Sequence, residues 1–229
     1  MSDSLNHINN TQHSVGDTPS STGCRRRRIF GASLIVVALA PLVTLLPWGE
    51  AGLEYQRQAI LGGEIWRLVT CHWTHFSWSH LFWDLFAMAI LGLACERRDQ
   101  KSFWLCLLIS ILVIPAGLMI LMPDLSIYRG LSGLSSALFG LLIVLRLEET
   151  FRDPRPARIA PVALFALLFI AKTIYEAASG CAVFAGAEGD TWAPVPLVHL
   201  IGAVIGAAIA LVRRNRSIRG RTYSFQPCG

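Results

Sequence analysis

The chain has 229 residues, 53% of them hydrophobic and only 15% charged, with a formal net charge of +5. Soluble domains carry about 25% charged residues, so a soluble globular domain is excluded. The basic residues are divided among separate segments rather than gathered on one fold, which excludes a nucleic-acid-binding protein and leaves a polytopic membrane protein with the lipid bilayer as its partner.

In chain order, residues 1–28 read as a cytoplasmic tail. It is rich in Ser, Thr and Asn, lacks periodicity and so reads as disordered, and it closes on Arg25 to Arg28. Six apolar blocks follow, at 29–47, 80–95, 102–122, 131–145, 159–179 and 195–212. A membrane-crossing helix needs about 20 apolar residues, so the fold class is all-α, a six-span helical bundle over residues 29–212. Residues 213–229 form a second basic tail. The first block has no small-x-small cleavage site and reads as a retained span rather than a signal peptide.

Basic residues sit before span one (Arg25 to Arg28), between spans two and three (Arg97, Arg98, Lys101), between four and five (Arg146, Arg152, Arg155, Arg158) and after six (Arg213, Arg214, Arg216, Arg219, Arg221). The exceptions among the 20 are Arg57, Arg67, Arg129 and Lys172. The positive-inside rule then puts both termini in the cytoplasm, as an even number of spans requires. Among the cysteines, Cys71 and Cys181 fall on the other side, where a disulfide between them is open if that compartment oxidises.

The long connection at 48–79 mixes His with Trp66, Trp73 and Trp78, residues suited to the water–lipid interface, and is expected to hold short helices near the outer leaflet. The segment 180–194 is a Gly- and Ala-rich outer loop.

Ionisable residues within spans point to function. His80 and Asp84 open span two, Ser132 opens span four, His199 lies one turn into span six, and Lys172 and Glu176 occupy the outer half of span five. Spans two, four and six all run inward, so His80, Ser132 and His199 share one depth. Gly133, Ala137 and Gly140 on span four, and Gly202, Ala203, Gly206 and Ala210 on span six, make small faces that let backbones approach in lipid. Packing them together carries Ser132 toward His199. Span four is also short, about 22 Å at 1.5 Å per residue, so Ser132 lies below the outer surface. Backbone that is not helical at that depth must be buried in protein or face water. A polar cavity is therefore expected around Gly130–Gly133. Ser132 also has a plain structural use, as a helix N-cap; Lys172 and Glu176, at i and i+4, suit a mutually neutralising pair.

These motifs resemble those of the rhomboid intramembrane serine proteases. Gly130-Leu131-Ser132-Gly133 is similar to the family's G-x-S-G, HLIGAVIG at 199–206 to its last-span His with G-x-x-x-G, EIWRLVT with Trp66 and Arg67 to its Trp-Arg loop motif, and THFSWSHLFWDLF at 74–86 to its His-rich approach to span two. Glu96-Arg97-Arg98 fits the end of that span. The short chain and GEIWRLVTCHWTH most resemble the rhombosortases, a bacterial subgroup associated with substrates bearing C-terminal Gly-Gly tails. The resemblance implies a Ser132–His199 catalytic dyad, an oxyanion hole drawing on the Ser132 N–H, His80 and the position of Asp84, transmembrane protein substrates, a bacterial inner-membrane location, and neither cofactor nor metal. It leaves the oligomeric state and the substrate-binding residues open.

The chain departs from the family pattern twice, with Asp84 where Asn is usual and Ser136 where Tyr is frequent. Asp84 serves either as a protonated donor to the oxyanion or as a carboxylate that orients His80. Two other readings stand beside the protease: a catalytically inactive relative that binds membrane segments, and a metal or haem protein using Cys71, His72, His75 and His80.

Overall fold

The computed structural model describes residues 31–46, 49–183 and 194–222. The N-terminal tail, the last residues of the C-terminal tail and the middle of the 180–194 loop lie outside the described residues. The described fold is helical throughout, apart from one two-residue strand pair.

Helix α1 (Ala32–Thr44) is followed by a loop built from short elements: α2 (Gly49–Leu53), β1 (Tyr55–Gln56), α3 (Arg57–Leu61), α4 (Arg67–Thr70) and a 3₁₀ turn (Cys71–Trp73). The expected short helices are thus present in this connection. Five long helices complete the chain: α5 (Trp78–Arg98), α6 (Gln100–Leu121), α7 (Ser132–Arg152), α8 (Pro156–Ser179) and α9 (Pro196–Thr222), with β2 (Ile127–Tyr128) between α6 and α7. Helix α9 runs on into the basic segment that begins at residue 213.

Four helices among the described residues, α5, α6, α8 and α9, are long and apolar enough to cross a membrane. The blocks read as spans one and four behave differently. Helix α1 has 13 residues, about 20 Å at 1.5 Å each, against a hydrocarbon core of about 30 Å. Helix α7 has 21 residues, but its composition is less apolar because it lies at the centre of the bundle. Leu131 and, on the helix itself, Leu134, Ala137, Leu138 and Leu141 are fully buried, so much of α7 meets protein rather than lipid and tolerates Ser and Gly.

The pairing of α7 with α9 is the tightest in the fold. A Cβ on Gly202 would meet the Gly133 carbonyl oxygen, one on Gly206 the Ala137 carbonyl oxygen, and one on Gly140 the Ala203 carbonyl oxygen. Backbone thus lies on backbone, and the two helices run parallel in a constant register. Carrying that register back one turn sets His199 level with the start of α7. The small-residue faces are the ones expected, and the reason is that lipid offers no hydrophobic drive, so association relies on close packing.

Helix α5 holds the opposite side of α7 and also anchors α1. The Glu96 carboxylate, fully buried, accepts from the backbone N–H groups of Gly31 and Ser33, each at 3.3 Å, and from the Ser33 hydroxyl at 2.7 Å. These are N–H groups at a helix start, which have no intrahelical partner. At the end of the bundle away from Ser132, Arg213 of α9 pairs with Asp99 and Arg98 with Glu149 at 3.5 Å. The basic segments after spans two, four and six therefore gather at one end.

Proline explains one further link. Pro115 lies inside α6 and has no N–H to give the carbonyl of Ile111 one turn earlier. That carbonyl instead accepts from Nε2 of His72, at 3.1 Å, tying the loop to α6. Burial holds His72 neutral, with its pKa lowered to about 4.

Candidate active site

The segment leading into α7 is fixed from three directions. β1 and β2 pair antiparallel, Tyr55 opposite Tyr128, which ties the loop to the strand just before Ser132. Gly130 N–H donates to the Cys71 carbonyl at 3.2 Å, and the Tyr128 hydroxyl donates to the Gly130 carbonyl at 3.0 Å. Arg129 donates to Glu50 and Glu54, both at 2.7 Å, and to the His75 carbonyl at 3.1 Å, with its guanidinium over the Phe76 ring. Arg67 braces the same loop through Glu64 at 2.7 Å and the carbonyls of Ala51 and Glu54. The Trp-Arg motif is therefore a loop brace.

Gly130 is glycine for two reasons. Its φ is +121°, which side chains with a Cβ rarely adopt. A Cβ there would also lie 2.9 Å from both Asp84 Oδ2 and His80 Nε2. The chain turns through this point and enters α7 at Ser132, its first residue. Leu131, not Ser132, holds the N-cap position, and no side chain caps the helix. The Ser132 hydroxyl is thus not spent on capping, and Ser132 is only half-buried. Its carbonyl accepts from the Ser136 hydroxyl at 2.8 Å, so the residue standing where the family often has Tyr folds back onto its own helix.

One Asp84 oxygen is met by three neighbours. Oδ2 takes the Leu131 N–H at 2.7 Å and lies 3.3 Å from Nε2 of His80 and 3.3 Å from Nε2 of His75. The rings of His75 and His80 meet edge to face, 5.1 Å between centroids. Of these partners, the sequence pointed to His80, one helical turn away. Leu131 and His75 are reached only through the fold.

A cavity of about 220 Å³ opens over this segment, with Ser132, His199, His80, Asp84, Lys172 and Glu176 among the residues on its wall. The polar residues expected to converge do share one cavity. Ser132 and His199 face it together without a hydrogen bond between them among the described contacts. His199, 5% exposed, is instead engaged from α8: its Nδ1 lies 3.3 Å from Glu176 Oε2. Lys172 and Glu176 do pair, at 2.7 Å, but the pair includes His199 as a third member.

The cysteine and metal readings fare differently. Cys71 is buried and Cys181 exposed, and both are free thiols, so the open disulfide is not formed. The Cys71 thiol points to the Leu68 carbonyl and His72 to Ile111, while His75 and His80 turn to Asp84. Among the described residues no group of three or more His, Cys, Asp or Glu side chains is set for a metal ion.

The described helices thus set a Ser and a His on one cavity of a helical membrane protein. A family model for the Rhomboid domain matches residues 62–216. The match covers more than half of the chain, and the chain belongs to the rhomboid family, whose members are intramembrane serine proteases acting on transmembrane substrates in the bilayer. No curated protein matches the chain.

Proposed function

We propose that the protein is an intramembrane serine endopeptidase that cleaves single-span membrane proteins near the extracytoplasmic face. The observation that carries this reading is the shared cavity: Ser132 at the head of α7 and His199 on the first turn of α9, held level by the glycine contacts between the two helices.

In the proposed reaction, Nε2 of His199 takes the Ser132 proton as Oγ attacks the scissile carbonyl. His199 then returns the proton to the leaving amine, and water hydrolyses the acyl-enzyme by the same steps reversed in role. The substrate closes the distance between the two side chains, as catalytic hydrogen bonds often tighten only in the complex. The oxyanion takes backbone N–H groups from the first turn of α7, at the positive end of a long helix. His80 assists it. Asp84 contributes indirectly, holding Leu131 and His80 in place.

The six-span topology with both termini cytoplasmic, the bacterial inner membrane and a rhombosortase role in processing C-terminally anchored secreted proteins belong to the same proposal. The basic segments gathered at the end opposite Ser132 support the orientation. Comparative proteomics of membrane and secreted fractions tests the function. Wild-type cells should release the ectodomain of one or more single-span proteins that Ser132→Ala cells retain. Identical fractions would favour a relative that binds membrane segments without cutting them.

A further inference from the structure

Helix α8 is peripheral, and most of its described side chains are exposed. Among its described side chains, Glu176 alone is buried, at 3% exposed. A carboxylate is a costly group to place inside a membrane bundle, so its surroundings indicate what it does there.

Three nitrogen atoms surround it. Oε1 accepts the Val183 N–H at 3.2 Å. Oε2 accepts from Lys172 Nζ at 2.7 Å and lies 3.3 Å from Nδ1 of His199. Lys172 Nζ is also 3.5 Å from that same Nδ1. The imidazole nitrogen therefore faces one group that only accepts and one that only donates. If Nδ1 donates to Glu176, Nε2 keeps its lone pair and can serve as a base. If Nδ1 accepts from Lys172, the ring proton sits on Nε2 and the base is lost. Only the first arrangement leaves Nε2 the base that the proposed reaction requires. The carboxylate oxygen is the nearer partner, and Lys172 is already engaged with that oxygen at the shorter distance.

We infer that Glu176 is a positioning residue for the proposed reaction, fixing His199 as the Nδ1–H tautomer with Nε2 turned to Ser132, while Lys172 holds Glu176 in place. This rests on the protease reading. It makes the working unit Ser132–His199–Glu176, with the third member on a helix that contributes no other buried side chain among the described residues.

The test is ¹⁵N NMR of histidine-labelled full-length protein in detergent micelles, with His199 assigned from the spectrum of His199→Gln. Wild type and Lys172→Met should show Nδ1 protonated and Nε2 unprotonated. Glu176→Ala, left with Lys172 as the neighbour, should move the proton to Nε2. An Nε2–H ring in wild type, or the same tautomer in Glu176→Ala, would overturn the inference. Should Glu176→Ala fail to fold, Glu176→Met nearly keeps the side-chain volume without a carboxylate to accept the proton, and its tautomer population must shift relative to Lys172→Met. A second readout is the inactivation of Ser132 by a fluorophosphonate. In Glu176→Ala the maximal inactivation rate should fall at least about tenfold, part of the roughly 10²–10⁴ that a positioned base supplies, while the probe's half-saturating concentration holds. An unchanged maximal rate would refute the positioning role. If wild type takes no label at Ser132, the protease reading fails, and the tautomer measurement still decides whether Glu176 sets the ring.

Discussion

The backbone N–H of Leu131 donates to Oδ2 of Asp84 at 2.7 Å. The proposed nucleophile is the next residue, so a side chain on α5 positions the turn that presents Ser132. Both groups are buried, and removing the acceptor leaves an orphan N–H, at a cost of about 1–3 kcal/mol. Asp84→Ala should lower the thermal midpoint in detergent by an amount consistent with that loss and should reduce proteolysis. Asp84→Asn keeps an acceptor oxygen and should retain more stability than Ala. Since Asp84 also faces His80, the activity losses of Asp84→Asn and His80→Ala should fall short of additive in the double variant. Strict additivity, or a fully active and stable Asp84→Ala, would remove this role.

Gly206 lies so close to the Ala137 carbonyl that no Cβ fits without movement. Overpacking of this kind costs about 1–3 kcal/mol, and more where backbone must yield. Gly206→Val should destabilise the protein and abolish cleavage, since it parts α7 from α9 and with them Ser132 from His199. An active Gly206→Val enzyme would show that the close packing is dispensable.

The helices and the convergence of Ser132, His80 and His199 on one cavity were legible in the sequence because both follow from patterns along the chain: apolar runs, charge-bearing loops and small residues at helical spacing. The partners that fix the site were not. Arg129 finds Glu50 and Glu54, Glu96 finds Ser33, and Glu176 finds His199 across separations no local pattern encodes. Lys172 and Glu176 were visible as an i, i+4 pair, but the third member lies on another helix. The β1–β2 pairing escaped notice because two-residue strands have no periodicity to read. Helix α7 was read as short because its charged last turns end the apolar run while the helix itself continues to Arg152.

His72 couples the fold to pH. Its pKa is lowered from 6.5 to about 4, so between those values the unfolded chain binds the proton and the folded one does not. Stability from this group is therefore complete above about pH 6.5 and falls as pH drops toward 4, with a slope of at most about 1.4 kcal/mol per pH unit. His72→Gln, which can still donate to the Ile111 carbonyl, should flatten that part of the profile. Thermal melts in detergent from pH 7 to 4 check this; equal slopes for the two proteins would exclude His72 as the source.

Reporter fusions should place both Met1 and Gly229 on the cytoplasmic side, because basic segments gather at the end opposite Ser132. An extracytoplasmic reporter at either end would break the six-span topology and with it the depth assigned to the cavity.

The most direct measurement is fluorophosphonate labelling of the purified protein in detergent, with the modified residue located by mass spectrometry. The account predicts an adduct on Ser132, none in Ser132→Ala, and labelling slowed by about 10²-fold or more in His199→Ala, which lacks the base. No adduct on Ser132 in folded wild type, or one that forms equally fast without His199, would contradict a Ser132 nucleophile activated by His199.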